Sequence, residues 1–143
     1  MTEAAAGPTG FTGPAEDRLA IRELVDAYGD AVCRRDADAW VATWAPQGCW
    51  LIRGARISGH AELRSTWVAA MAAYRFVAFS GAPGAIAVEG DAARLRVHTT
   101  EWLVPVDGPA RLQHGSYDDL LQRIDGRWVF AQRSFSVLQS HSF

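Results

Sequence analysis

Apolar positions fall in helical stripes along the first half of the chain and alternate along the second. Ile21, Leu24, Val25, Tyr28 and Val32 recur at i, i+3, i+4, i+7 and i+11, which is one face of a helix. A first helix is predicted from about Ala15 to Arg34, with Tyr28 toward the core and Arg34 and Arg35 suited to its negative C-terminal end. Asp36 then precedes ADAWVATWA and Pro46, which predicts a short second helix that stops before the proline. Two roles are open to Asp36: an N-cap accepting from the N–H of Asp38 or Ala39, or an acid in a functional site. Gly48 to Gly59 reads as a tight hairpin about Gly54. Leu63, Trp67, Met71 and Tyr74 again form one stripe, predicting a third helix from about His60 to Tyr74. His60 is expected as a solvated first-turn residue.

From Phe76 onward the period changes to two. AFSGAPGAIAVE ends at Gly90-Asp91, and ARLRVHTTEWLVPV ends at Asp107-Gly108-Pro109. In the second of these, Ala93, Leu95, Val97, Thr99, Glu101 and Leu103 share the face expected to meet the core. His98, Thr100, Trp102 and Val104 lie on the other face, where they suit an oligomer contact. QHGSYDDLLQRIDGRWVFAQR then reads as two long strands joined by Asp125-Gly126, a strong two-residue hairpin signal. Tyr117 and Asp119 share a face with Gly115, Leu121 and Arg123, and Arg133 is a candidate to join them. Polar groups on an apolar face need partners, because an unpaired buried charge is costly. The pattern therefore predicts a lined cavity rather than a solid core, with Glu101 near it or at a strand end.

Three helices and a hairpin followed by four long strands predict an α+β domain. Its form is a cone-shaped α+β barrel, a bent, mostly antiparallel sheet wrapped over the three N-terminal helices. The open mouth of such a cone suits a small molecule. Residues 1–14, small and rich in Gly and Pro, are expected as a disordered leader to a domain over 15–143.

Composition narrows the chemistry. The chain has no Lys, which excludes Schiff-base and P-loop chemistry, and all fourteen of its cationic side chains are Arg. Asn is absent too, which removes one common oxyanion donor, and because Arg does not act as a base near neutral pH, proton transfer falls to carboxylate, histidine, tyrosine or thiol. A net charge of -2 gives no basic footprint for nucleic acid. No apolar run reaches membrane-spanning length and the start lacks a signal-peptide pattern, so a cytoplasmic location is expected. Cys33 and Cys49 are expected as buried free thiols. His60, His98, His114 and His141 show no ligand spacing, so no metal and no cofactor is expected.

EDRLAIRELVDAYGDAVCRRDADAWVATWAPQGCW, SGHAELR, VEGDAARLRV and GSYDDLLQRIDGRWVFAQR together resemble the SnoaL-like branch of the nuclear transport factor 2-like superfamily. The resemblance runs from Glu16 to Phe135. Its members include scytalone dehydratase, a hexachlorocyclohexane dehydrochlorinase, ketosteroid isomerase, limonene epoxide hydrolase, polyketide cyclases and many non-enzymes. In the dehydratase and the dehydrochlorinase an Asp after the first helix pairs with a His on the third long strand. The resemblance puts that Asp at Asp36, eight residues after Tyr28, and that His at Phe79, which breaks the dyad. It also puts the dehydrochlorinase's aromatic residue and Arg at Tyr117 and Arg133, and its Lys at Ala31. The isomerase base falls near Ile52 or Arg53, which does not support that mechanism, and the cyclases' essential Asp falls in the region of Asp119.

The resemblance implies an enzyme of the lyase, isomerase or cyclase type acting on an apolar, partly oxygenated substrate, polyketide- or terpenoid-like. Trp44, Trp50, Trp67, Phe79 and Leu103 would wall its pocket. Asp36, Asp119 or Glu101 would act as base, Tyr28 and Tyr117 as hydrogen-bond donors, and Arg133 as charge stabiliser. A non-catalytic ligand-binding member and the small subunit of an oxygenase complex are the competing implications. A homo-oligomer, with a dimer first, is the expected assembly.

Overall fold

The computed structural model describes residues 7–143. The first helix, α1 (Ala15–Arg34), has the predicted bounds and buries Ile21, Val25, Tyr28 and Val32. A short α2 (Ala37–Ala42) ends earlier than its sequence suggests. The backbone N–H of Phe130 takes the Thr43 carbonyl at 2.9 Å, so the chain leaves the helix to join the sheet as β1 (Trp44–Ile52). Pro46 lies where the β1 register shifts, so its missing N–H costs no ladder bond. β2 (Ala55–Ser58) completes the hairpin, turning through Arg53 and Gly54, both at positive φ.

The third helix, α3 (His60–Met71), stops three residues before its apolar stripe does. Val106 donates to the Ala73 carbonyl at 2.9 Å and Tyr74 pairs with Pro105, so strand pairing claims this segment from the helix. Tyr74 therefore opens β3 (Tyr74–Glu89) rather than closing α3. β4 (Ala92–Pro105), β5 (Arg111–Ile124) and β6 (Arg127–Ser142) follow as a meander. The six strands run β2-β1-β6-β5-β4-β3 in one sheet that does not close, antiparallel except where β1 meets β6. The expected leader divides. Residues 1–6 lie outside the described residues, whereas Thr12 bonds the Ile86 carbonyl and the Val88 N–H at 3.0 Å each, along the β3 edge.

Two local features of the β5–β6 hairpin position everything below. Asp125 (φ 50) and Gly126 (φ 76) are both left-handed, the backbone of a type I′ turn. Further along, Leu121 pairs with Phe130 but Leu120 pairs with Gln132, so Ala131 is an extra residue bulging from β6. That bulge shifts the alternation by one, and Phe130 and Arg133 both face the concave side. α1 lies across that side, Gly29 against the Phe79 ring. No helix among the described residues is long and apolar enough to cross a membrane.

Candidate functional site

The cone holds a cavity of about 390 Å³, walled largely by Val32, Trp50, Ile57, Trp67, Phe79 and Leu103. Its polar groups gather in two places. Deep in the cone, the Trp50 indole N–H donates to the Tyr117 hydroxyl at 3.2 Å, and the Tyr28 and Tyr117 hydroxyls lie 3.3 Å apart. These three groups own three protons and make two hydrogen bonds among themselves, so one phenolic proton is left to offer. Both hydroxyl-bearing side chains line the cavity. Burial raises the pKa of each phenol, Tyr117 the more, so both stay protonated donors.

Beneath the phenols lies a sealed ion pair. Arg133 donates through Nε and Nη2 to the two Asp119 carboxylate oxygens at 2.8 and 3.0 Å, and the side chains are 1% and 0% exposed. The guanidinium sits 3.7 Å from the centroid of the Tyr117 ring, 4.0 Å from Phe130 and 4.4 Å from Tyr28. Burial pushes the Asp119 carboxyl up to about 6, with Arg133 pulling against it. Burial draws Arg133 down, but Asp119 and the two phenols more than reverse this and keep it charged. Neither residue lines the cavity.

At the mouth, Glu101 lines the cavity and pairs across the ladder with Gln113, whose amide donates to it at 3.4 Å. Burial raises the Glu101 pKa; Gln113, Arg111 and Arg53 act against that rise. Its charge also reaches both phenols, raising them further.

The structure brings Tyr28, Tyr117, Glu101, Trp50, Trp67, Phe79 and Leu103 together around one cavity, with Arg133 and Asp119 behind it. It does not bring Asp36. That carboxylate accepts from the Ala39 N–H at 2.9 Å and from Arg34 at 3.1 Å, on the outside of the cone. The Ala39 N–H is the first cause holding its pKa below the ordinary carboxylate value. Trp44 also falls outside the lining. Because α2 is short, Trp44 opens β1 and packs in the core beside Trp40 and Phe130. His60 is half-buried rather than solvated, its Nε2 2.8 Å from the Trp44 carbonyl. Both cysteines are free, but Cys33 is exposed, with its Sγ 3.3 Å from the Phe79 N and O. Sequence reasoning left out Gln113, Arg53, Tyr74 and Phe135. Alternation back from Gly115 places Gln113 on the inner face; for Arg53, at a hairpin tip, the pattern held no signal. No group of three or more His, Cys, Asp or Glu among the described residues could hold a metal ion.

An open, bent sheet over three helices, with a cavity between them, defines the nuclear transport factor 2-like cone. The chain belongs to the SnoaL-like domain family, which matches residues 14–134. It is similar in structure to a provisionally named aromatic ring hydroxylase from Novosphingobium aromaticivorans, at 25% identity and a TM-score of 0.84, covering 92% of this chain and 96% of that one. A provisionally named scytalone dehydratase from the same species aligns at 15% identity and TM-score 0.81, over 90% of this chain and 88% of that one. A type 2 hexachlorocyclohexane dehydrochlorinase aligns at 18% and 0.80, over 90% and 89%. No curated protein matches the chain in sequence.

Asp36→Ala costs about 1 kcal/mol of stability through the lost cap, whereas Asp36→Asn, which still caps, costs little; urea denaturation reads both. A drop of several kcal/mol for Asp36→Asn would contradict a capping role.

Removing one partner of the Arg133–Asp119 pair strands a buried charge, so Arg133→Met or Asp119→Ala each costs about 3–5 kcal/mol, and the double replacement costs less than their sum. The Asp119 carboxyl binds its proton more tightly folded than unfolded. Its contribution is thus complete below about pH 4, the unfolded value, and is lost as the pH rises through about 6. Asp119→Asn flattens that part of a stability–pH series, and an unchanged slope would refute the assignment.

Proposed function

We propose that this chain is an enzyme of the lyase, isomerase or cyclase type, acting on an apolar, partly oxygenated small molecule, polyketide- or terpenoid-like, in the cone cavity. The observation that carries the reading is the spare phenolic proton of the Tyr28–Tyr117–Trp50 group, whose side chains line a cavity that Glu101 also lines. A substrate carbonyl oxygen accepts that proton's hydrogen bond. Glu101 removes a proton from a carbon conjugated with the carbonyl, and the C–H electron pair moves to the oxygen as an enolate. The phenol bonds more strongly to the enolate than to the carbonyl, with the Arg133 charge stacked directly beneath the Tyr117 ring. Protonated Glu101 then returns its proton to another carbon, giving isomerisation, or to a departing hydroxyl, giving dehydration. Alternatively the enolate carbon attacks a second carbonyl and closes a ring, the C=O π pair becomes an alkoxide, and Glu101 gives that oxygen its proton. The likeness to dehydratase and dehydrochlorinase structures supports the class through the fold alone.

One observation favours a binding protein without chemistry: Phe79 stands where the resemblance implies a proton-accepting histidine. The two readings separate in a solvent-exchange experiment with 2-tetralone, a bicyclic ketone, followed by NMR in D₂O. Catalysis predicts exchange of its α-protons above the buffer rate, a loss of about 100-fold or more in Glu101→Gln, and a loss of about 10²–10³ in Tyr117→Phe. Glu101 acts only when ionised, so exchange rises with pH through a value above the ordinary carboxylate range, and Glu101→Gln removes that limb. Binding of the ketone without exchange would establish the second reading instead.

We further propose that two copies pair through the outer sheet face that carries His98, Thr100, Trp102 and Val104. Trp102 there is only half-covered, by Phe143 at 5.1 Å, and His98 and Thr100 beside it are exposed, while Val104 is already buried within the protomer. Sedimentation is expected to give a dimer at micromolar concentration that Trp102→Glu dissociates; a wild-type monomer would refute the pairing.

A further inference from the structure

We infer that the ligand of this cavity is two-ended: beyond the oxygen held by the phenols, it carries a carboxylate at the mouth, received by Arg53 and Arg111. This rests on the cavity being the ligand site proposed above, and adds the chemical class of what enters it.

The mouth holds two guanidinium groups against one carboxylate. Arg53 lines the cavity from the tip of the β1–β2 hairpin, where its own backbone is left-handed (φ 52) and its side chain is exposed. Arg111 opens β5 on the inner face, two residues before Gln113, and donates to the hydroxyl of the cavity residue Tyr74 at 3.2 Å. Both lie near enough to Glu101 for their charge to act on it, yet neither forms an ion pair with it within 4.0 Å. Arg34, Arg64, Arg123 and Arg133, by contrast, have carboxylate partners at about 3 Å or less. Arg53 at the cavity edge, and Arg111 behind it with one N–H given to Tyr74, thus have forked donors without a carboxylate partner beside the opening.

The rest of the cavity sets what such an anion can be attached to. Below the mouth the walls are aromatic and aliphatic, so the body must be apolar, and at the far end a single phenolic proton asks for one acceptor oxygen. Gln113 and Tyr117 share the inner face of β5 four residues apart, so the ligand's body runs along that strand from the mouth toward the phenols. A guanidinium fork pairs with a carboxylate through two parallel hydrogen bonds, and apolar walls strengthen that pairing. At the mouth the anion also keeps part of its hydration, so its desolvation cost is small.

The probes are 6-hydroxy-2-naphthoic acid and 6-hydroxy-2-naphthamide, alike in body and phenol but differing in charge. Both are titrated against the fluorescence of the intact chain, in which Trp50 and Trp67 line the cavity. The acid is expected to bind about tenfold or more tighter than the amide at low salt, with the preference shrinking as salt rises. In Arg53→Gln/Arg111→Gln the acid falls to the level of the amide, and the amide stays within about twofold of its wild-type affinity. Should that variant fail to fold, the salt dependence in wild type still decides. Equal affinity for acid and amide in wild type overturns this inference and leaves the proposed function standing. A preference that survives the double substitution, or that salt does not weaken, also overturns it. Binding of neither probe overturns this inference and the ligand-site reading together.

Discussion

A guanidinium buried to 1% exposure is the constraint on which the site depends. Taking that charge out of water is expensive, and it is tolerable only where the protein replaces the lost hydration. Asp119 supplies two hydrogen bonds with opposite charge, and the Tyr117, Phe130 and Tyr28 rings supply π-faces within 4.4 Å. Nη1 has no hydrogen-bond partner among the described residues, so ring faces stand in for one on that side. The arrangement fixes the β5–β6 register, because a slip of one residue would send Arg133 to the convex face and leave Asp119 alone inside. It also fixes the phenols: the cation that needs their rings holds their hydroxyls where they meet Trp50.

Much of this was legible in the sequence, and the exceptions share a cause. The α1 stripe, the Asp125-Gly126 turn and the inner face of β4 are local periodicities, and the structure follows them closely. The ends of α2 and α3 depend on residues far away, Phe130 and Val106, whose hydrogen bonds pull Thr43 and Ala73 out of helix. Local propensity carries no record of such a competitor. The bulge at Ala131 is equally silent: strict alternation puts Arg133 opposite Phe130, and one extra residue puts them together. Trp44 shows the downstream effect, since two strand residues read as helix turned a core tryptophan into an expected pocket wall.

Asp36 separates two kinds of inference. Its residue type beside ADAW pointed to an N-cap, and the Ala39 N–H is where its carboxylate goes. The resemblance pointed to a catalytic acid, an assignment made by sequence position. Position in a family transfers the backbone more reliably than the use of a side chain. Here the backbone is kept, while the position to which the resemblance assigns that acid's histidine is Phe79, packed against Tyr28 at 5.6 Å.

The remaining carboxylates can be ranked by geometry before acidity. Burial raises the pKa of both Asp119 and Glu101, so acidity alone would not choose between them. Asp119 has both oxygens engaged by Arg133 and no surface in the cavity, so it does not reach a molecule held there. Glu101 accepts one long hydrogen bond, from Gln113 at 3.4 Å, and keeps acceptor capacity toward the cavity. The tyrosines cannot take the role, since burial holds their protons on. Donor and acceptor functions are thus divided between the two ends of one cavity, phenols deep and carboxylate near the mouth. Any chemistry in this cone must be done on a molecule that touches both.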